Sequence, residues 1–136
     1  MEKTKEKEEK EKAGKEIFEL NMLEGRLREL EQQVAIVEQQ VLEQQLLEQN
    51  LEEIKEKKGE EVKVPLGKGV FVPAKLENVK KVLVDVGAKV VLEKNIEDAK
   101  KIVQKRKEKL LKLSESLNAE MQKAFAEITK LEMKIS

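Results

Sequence analysis

The residues able to do chemistry in this chain fall into three groups, each with a plainer structural use beside it. Gly67-Lys68-Gly69 sets a cation between two glycines, the raw material of a phosphate cradle. A P-loop needs G-x-x-x-x-G-K-[ST] between a strand and a helix, whereas both flanks here alternate as strands do, so the triplet reads as a turn. The basic stretch Lys100 to Lys112 could meet an acidic partner, or serve as the solvated face of a helix. Phe18, Met22, Phe125 and Met133 are large apolar side chains in the outer parts of the sequence. Methionine's flexible thioether and an exposed phenyl ring suit a surface that accommodates many apolar sequences. Their plainer use is scattered surface or local packing.

Catalysis has little to work with. Histidine, cysteine and tyrosine are absent, and Asp85 and Asp98 are the only aspartates. The many glutamates fall on helix faces, where carboxylates usually solvate and pair. General acid–base work needs a concave site that shifts pKa values, which thin coils seldom provide. No enzymatic activity, metal or cofactor is expected.

Composition narrows the partners. Twenty-eight basic residues balance 28 acidic ones, so no net charge draws the chain to nucleic acid or membrane. Neither tyrosine nor tryptophan is present to stack on bases. No apolar run approaches the ~18 residues of a membrane span, and Met1 to Lys15 lacks the apolar core of a signal peptide. Without cysteine there is no disulfide framework. These features predict a cytoplasmic protein with no nucleic-acid or membrane partner.

The elements that would position these residues follow from periodicity. With 41% charged residues and 2% aromatic ones, the chain cannot fill a thick core, so its apolar residues must serve in thin layers. Residues 1–16 hold six lysines and six glutamates and predict a charged extension, frayed-helical or disordered. From 17 to 58 a heptad emerges, with Leu20, Leu27, Val34 and Val41 at a and Leu23, Leu30, Val37 and Leu51 at d. Gln44 and Glu48 break it, and Leu46 and Leu47 suggest a sideways shift of the stripe. Gly59 is the expected stop.

A second helix is predicted over 95–136, capped by Asn95. Its seam reads Ile96, Ala99, Val103, Leu110, Leu113 and Leu117. A four-residue step then leads to Met121, Ala124, Ile128, Leu131 and Ile135, as in a stutter. Residues 17–58 carry five bases and ten acids, and residues 95–136 carry ten bases and seven acids. This asymmetry favours an antiparallel pair, with Lys100 to Lys112 facing Glu43, Glu48, Glu52 and Glu53. Phe18, Met22, Phe125 and Met133 lie off the seam and would meet at one end of that pair.

Between the helices, residues 59–94 alternate with period two and are rich in valine. Four strands are predicted, at 61–66, 70–76, 80–86 and 89–93, in two hairpins turning at Gly67-Lys68-Gly69 and Gly87-Ala88. Pro65 and Pro73 must sit at edges or bulges. An isolated hairpin is marginal in water. The valine-rich faces and free edges therefore predict pairing with other subunits, through Val62, Val64, Val70, Phe71, Val72, Val82, Val84, Val86 and Val91. The fold class expected is mainly α with a small β insert, a long antiparallel coiled-coil hairpin joined by two β-hairpins.

This plan resembles the alpha-class subunits of the prefoldin family. Val64-Pro65-Leu66-Gly67-Lys68-Gly69-Val70-Phe71-Val72 is similar to the family's V-P-[IL]-G-x-G-x-F stretch. Val84-Asp85-Val86-Gly87, followed by Val91, Glu93, Ile96 and Ala99, resembles its V-x-V-G segment and the start of the second helix. The resemblance covers about residues 17–136, and two hairpins fit the alpha class, since beta-class subunits carry one.

The resemblance implies an ATP-independent holdase whose partners are unfolded client proteins, other prefoldin subunits (beta class or self) and a group II chaperonin. Inserts would join into a β-barrel body, and coiled-coil tips would grip clients, here through Phe18, Met22, Phe125 and Met133. Some archaeal alpha-like members assemble with themselves into filaments, and that alternative stays open for this chain. So does a third, a coiled-coil adaptor without holdase activity.

Overall fold

The computed structural model describes residues 2–135; Met1 and Ser136, the outermost positions of the expected segments, lie outside the described residues. The elements run α1 (Glu2–Ile54), β1 (Glu61–Gly67), β2 (Val70–Lys75), β3 (Lys81–Gly87), β4 (Val90–Asn95) and α2 (Ile96–Ile135). The fold is two long helices joined by two antiparallel two-stranded hairpins. The helix begins at Glu2 instead of Ile17. Residues 2–16 contain no proline and, apart from Gly14 and Thr4, consist of good helix formers.

By contacts the chain divides into two compact units, Met1–Gln40 with Leu110–Ser136 (the arm unit) and Val41–Lys109 (the hairpin unit). In the arm unit, Leu30, Val34, Val37 and Leu117 form a buried cluster with Leu110 and Met121 packed against it. Leu20, Leu23 and Leu27 are half-buried, while Ala124, Ile128 and Leu131 are buried. Full burial of one aliphatic side chain contributes about 1.5–3 kcal/mol, so this thin seam carries the unit. The Arg26–Glu120 ion pair, at 3.0 Å and open to solvent, marks its antiparallel register.

The hairpin unit has its own core. Leu51, Ile96, Ala99 and Val103 are buried together, with Ile54, Val82 and Val84 packed on them. Strand β3 thus lays two valines on the root of the helix pair. Asn95 caps α2 as its spacing predicts, its Oδ1 accepting from the Asp98 N–H at 2.8 Å. Helix α1 stops at Ile54, the last residue with apolar cover, and not at Lys58. The charged turn that follows leads to Gly59, whose φ of +81° turns the chain so that its N–H donates to the Leu76 carbonyl.

Two expectations about the seam need correction. Leu113 is 47% exposed, and its neighbour Ser114 takes the inward position. On α2 the inward residues are Val103, Lys107, Leu110, Ser114, Leu117 and Met121, steps that alternate four and three without a stutter. Nor does the stripe of α1 shift sideways. Gln44 and Glu48 stay half-buried in the heptad, while Leu46 and Leu47 are exposed. Reading hydrophobicity alone skips a seam position that is polar, and three of these four positions lie within the hairpin unit.

The two hairpins repeat one design at an offset of 20 residues. Glu61 pairs with Lys75 and Lys81 with Asn95, and the registers shift at Pro65/Gly67 and Asp85/Gly87. Leu66 and Val86 are thereby extra residues of β-bulges just before each turn. The first turn uses Gly69 at φ +78°, whereas the second places Ala88 and Lys89 at +50° and +62°. Positive φ at both central residues is the geometry of a type I′ turn, here without glycine at either.

Candidate functional site

The first surface is made by the four off-seam residues of the arm unit. Phe18, Met22, Phe125 and Met133 are between 61% and 74% exposed. The Arg26–Glu120 register sets Met22 level with Phe125 on the opposite helix. Phe18 stands one turn away on α1. Met133 falls level with Ala13, more than a turn beyond Phe18; Lys134 and Ala13 line one shallow groove. Three of the four thus fall within about two turns along the arm, and Met133 lies further out. Gly14 and Phe18 border a second open groove with Glu11, Lys15 and Glu19. The missing side chain at Gly14 leaves a depression beside the Phe18 ring, since a helical side chain covers the turn before its own Cα.

The second surface is the pair of hairpins. Val64, Val70, Phe71, Val72, Val86 and Val91 are exposed, and Val62 is half-buried. Val82 and Val84, grouped with them by their alternation, pack instead on the intrachain core and are not part of this surface. Leu66, Leu83, Val90 and Leu92 are exposed there and were not singled out by the sequence. Period two does reveal Leu83, which must point away from Val82 and Val84. Leu66 is turned out by a bulge, which leaves no such signal. Each hairpin is a separate two-stranded sheet, so every strand offers a free edge.

The third feature is polar and lies at the root of the helices. Lys107 Nζ sits 3.1 Å and 3.2 Å from the two carboxylate oxygens of Glu48, with both side chains well shielded. Only one of those oxygens has hydrogen-bond geometry, and the Gln44 side-chain oxygen nearby is buried with no partner among the described residues. Lys100 pairs with Glu52, and Lys55 with Glu97 at 2.6 Å. Arg106 donates to the Asp85 carbonyl at 2.5 Å, tying β3 to α2. The base-rich run therefore meets acidic α1 through Lys100 and Lys107. Lys101, Lys105 and Lys109 are exposed and make no ion pair among the described residues.

Among the described residues no helix is long and apolar enough to cross a membrane, and no cluster of His, Cys, Asp or Glu is arranged to hold a metal. The family model described as Prefoldin subunit matches residues 23–136.

The chain belongs to the prefoldin family.

It is similar to prefoldin subunit alpha of Methanosarcina barkeri, 32% identical over 108 residues, which cover 76% of this chain and 75% of that one. Prefoldin subunit alpha of Thermofilum pendens is 35% identical over 77 residues, 57% of this chain and 60% of its own length. Human prefoldin subunit 5 is 38% identical over 72 residues, 53% of this chain and 47% of that one. Among solved structures, the chain is similar to filamentous PFD from Methanocaldococcus jannaschii, seen by cryo-electron microscopy. The TM-score is 0.54 and the identity 26%, covering 89% of this chain and 95% of that one. The prefoldin match includes both hairpins and α2, and begins on α1 beyond Phe18 and Met22.

Proposed function

We propose that this prefoldin chain is a subunit of an ATP-independent holdase, which captures non-native proteins on the arm unit and passes them to a group II chaperonin. The observation that carries this reading is the exposure of Phe18, Met22 and Phe125 within about two turns of one another, with Met133 beyond. Scattered apolar surface residues are ordinary, but a concentration of aromatic and methionine side chains on a thin coil suits transient capture of apolar segments. Residues 1–16 serve as a charged extension of the arm, α1 and α2 supply its paired helices, and 59–94 serve as the assembly insert. Within the insert, exposed Val64, Val70, Phe71, Val72, Val86 and Val91 join subunits through sheet edges, with half-buried Val62 beside them. Aggregation of a chemically denatured client, followed by light scattering, tests the reading. Protection without nucleotide is expected; a requirement for ATP refutes it.

A second reading has its own observation in the similarity to filamentous PFD. In it the same edges join copies of this chain alone into an open, head-to-tail filament. Electron microscopy of the chain expressed by itself separates the two. Long filaments support self-assembly, whereas small soluble species that grow only with a beta-class subunit support the hetero-oligomer.

A further inference from the structure

The outer faces of the two helices in the hairpin unit carry features that neither the seam nor the hairpins use. On α1, Leu42, Leu46, Gln49 and Glu53 follow one another at i, i+4, i+7 and i+11 and form a single stripe pointing away from the buried side. Leu42 and Leu46 are 59% and 58% exposed, and among the described residues the nearby Glu43 and Glu53 make no ion pair. On α2, Lys101, Lys105 and Lys109 form the corresponding outward ridge and make no ion pair among the described residues; the one acid on that face, Glu108, accepts from Gln104. One outer face is apolar and acidic, the other a row of unpaired lysines.

We infer that this is a second interface between copies of this chain, in which the lysine ridge of one copy seats on the Leu42–Leu46 stripe of the next. Three features select a second copy as the occupant. The charges are opposite and equally unpaired. Lysine's four-carbon stem can cover exposed leucines while its ammonium reaches a glutamate, so the two faces fit in apolar as well as charged character. The complementary faces also lie on opposite helices of the same hairpin, so each copy offers one of each and the contact can repeat head to tail. It differs from edge-to-edge strand pairing and would add lateral grip to coiled coils already gathered by their inserts.

The absence of native cysteine allows a clean test on the full chain. Two single variants, Leu46→Cys and Lys105→Cys, are mixed, oxidised mildly and resolved without reducing agent. Both positions are exposed, so folding is little affected. Light scattering on the same samples reports whether insert-mediated assembly persists, separating its loss from loss of this contact. Disulfide joining the two variants is expected in clear excess over either variant alone. It should fall steeply at 1 M salt, where the Debye length contracts to about 3 Å. A yield no greater than in the single-variant controls, or one indifferent to salt, overturns the proposal. So does a product dominated by Leu46→Cys joined to itself.

Discussion

The arm unit and the hairpin unit are built from the same two helices, yet they are held in different ways. In the hairpin unit the helices are fastened by Glu48–Lys107, Glu52–Lys100 and Lys55–Glu97, covered by Val82 and Val84, and tied to β3 through Arg106. In the arm unit, Arg26–Glu120 is the ion pair that joins the two helices among the described residues. There, too, α1 contains Gly14 and Gly25, and a Cβ at either would meet nothing within 4 Å. Neither glycine serves a turn or a close approach, and each weakens the helix. The segment between them carries Phe18 and Met22. One unit joins its helices by several ion pairs and a covering strand; in the other, two helix-weakening glycines flank exposed apolar side chains.

The largest effects should come from the two cores. Truncating Ile96→Ala beneath β3, or Leu30→Ala in the arm seam, should cost about 2–5 kcal/mol in denaturant unfolding. The same change at exposed Phe125 should stay within about 0.5 kcal/mol. A comparable loss at Phe125 would mean that the ring packs on its surroundings and is not displayed.

The polar layer should behave differently from either core. Glu48→Leu alone strands Lys107 and should destabilise. Glu48→Leu with Lys107→Leu should be neutral, or more stable by about 1–4 kcal/mol, because a shielded ion pair often loses to well-packed hydrocarbon. The double variant should also admit other helix registers, detected as spin-label distances broader than in the parent. A single sharp distance would show that the apolar layers set the register unaided.

Smaller effects separate the units further. Lys89→Gly should stabilise the second hairpin by about 1 kcal/mol by relieving a left-handed backbone that disfavours a Cβ. Gly14→Ala and Gly25→Ala should each strengthen α1 by about 0.8–1 kcal/mol. Hydrogen exchange between residues 14 and 25 should slow accordingly, and the range of clients protected should narrow. Unchanged exchange would place the flexibility of the arm elsewhere.

The parts of this molecule legible in its sequence are those where chemistry and geometry share a period. Valine alternation located both hairpins, and Asn95 marked the start of α2. The seam was legible only where it is apolar. Lys107 and Ser114 occupy inward positions, so hydrophobicity alone selects Leu113 and implies a stutter between Leu117 and Met121 that is absent there. Period two could not by itself divide the strand valines between the chain's own core and a partner. Val82 and Val84 turn inward because Ile96 and Ala99 lie beneath them, a long-range fact. Leu42 and Leu46 lie outside the heptad and carry no signal of their own until their common face is seen.

The central claim is that display on the arm and assembly through the insert are separate functions of one chain. It is tested most directly by Phe18→Ser, Met22→Ser, Phe125→Ser and Met133→Ser combined in one variant. Client aggregation and particle size are measured on the same preparation. The account predicts unchanged assembly and a large loss of protection. Full protection by a normally assembled variant would contradict it.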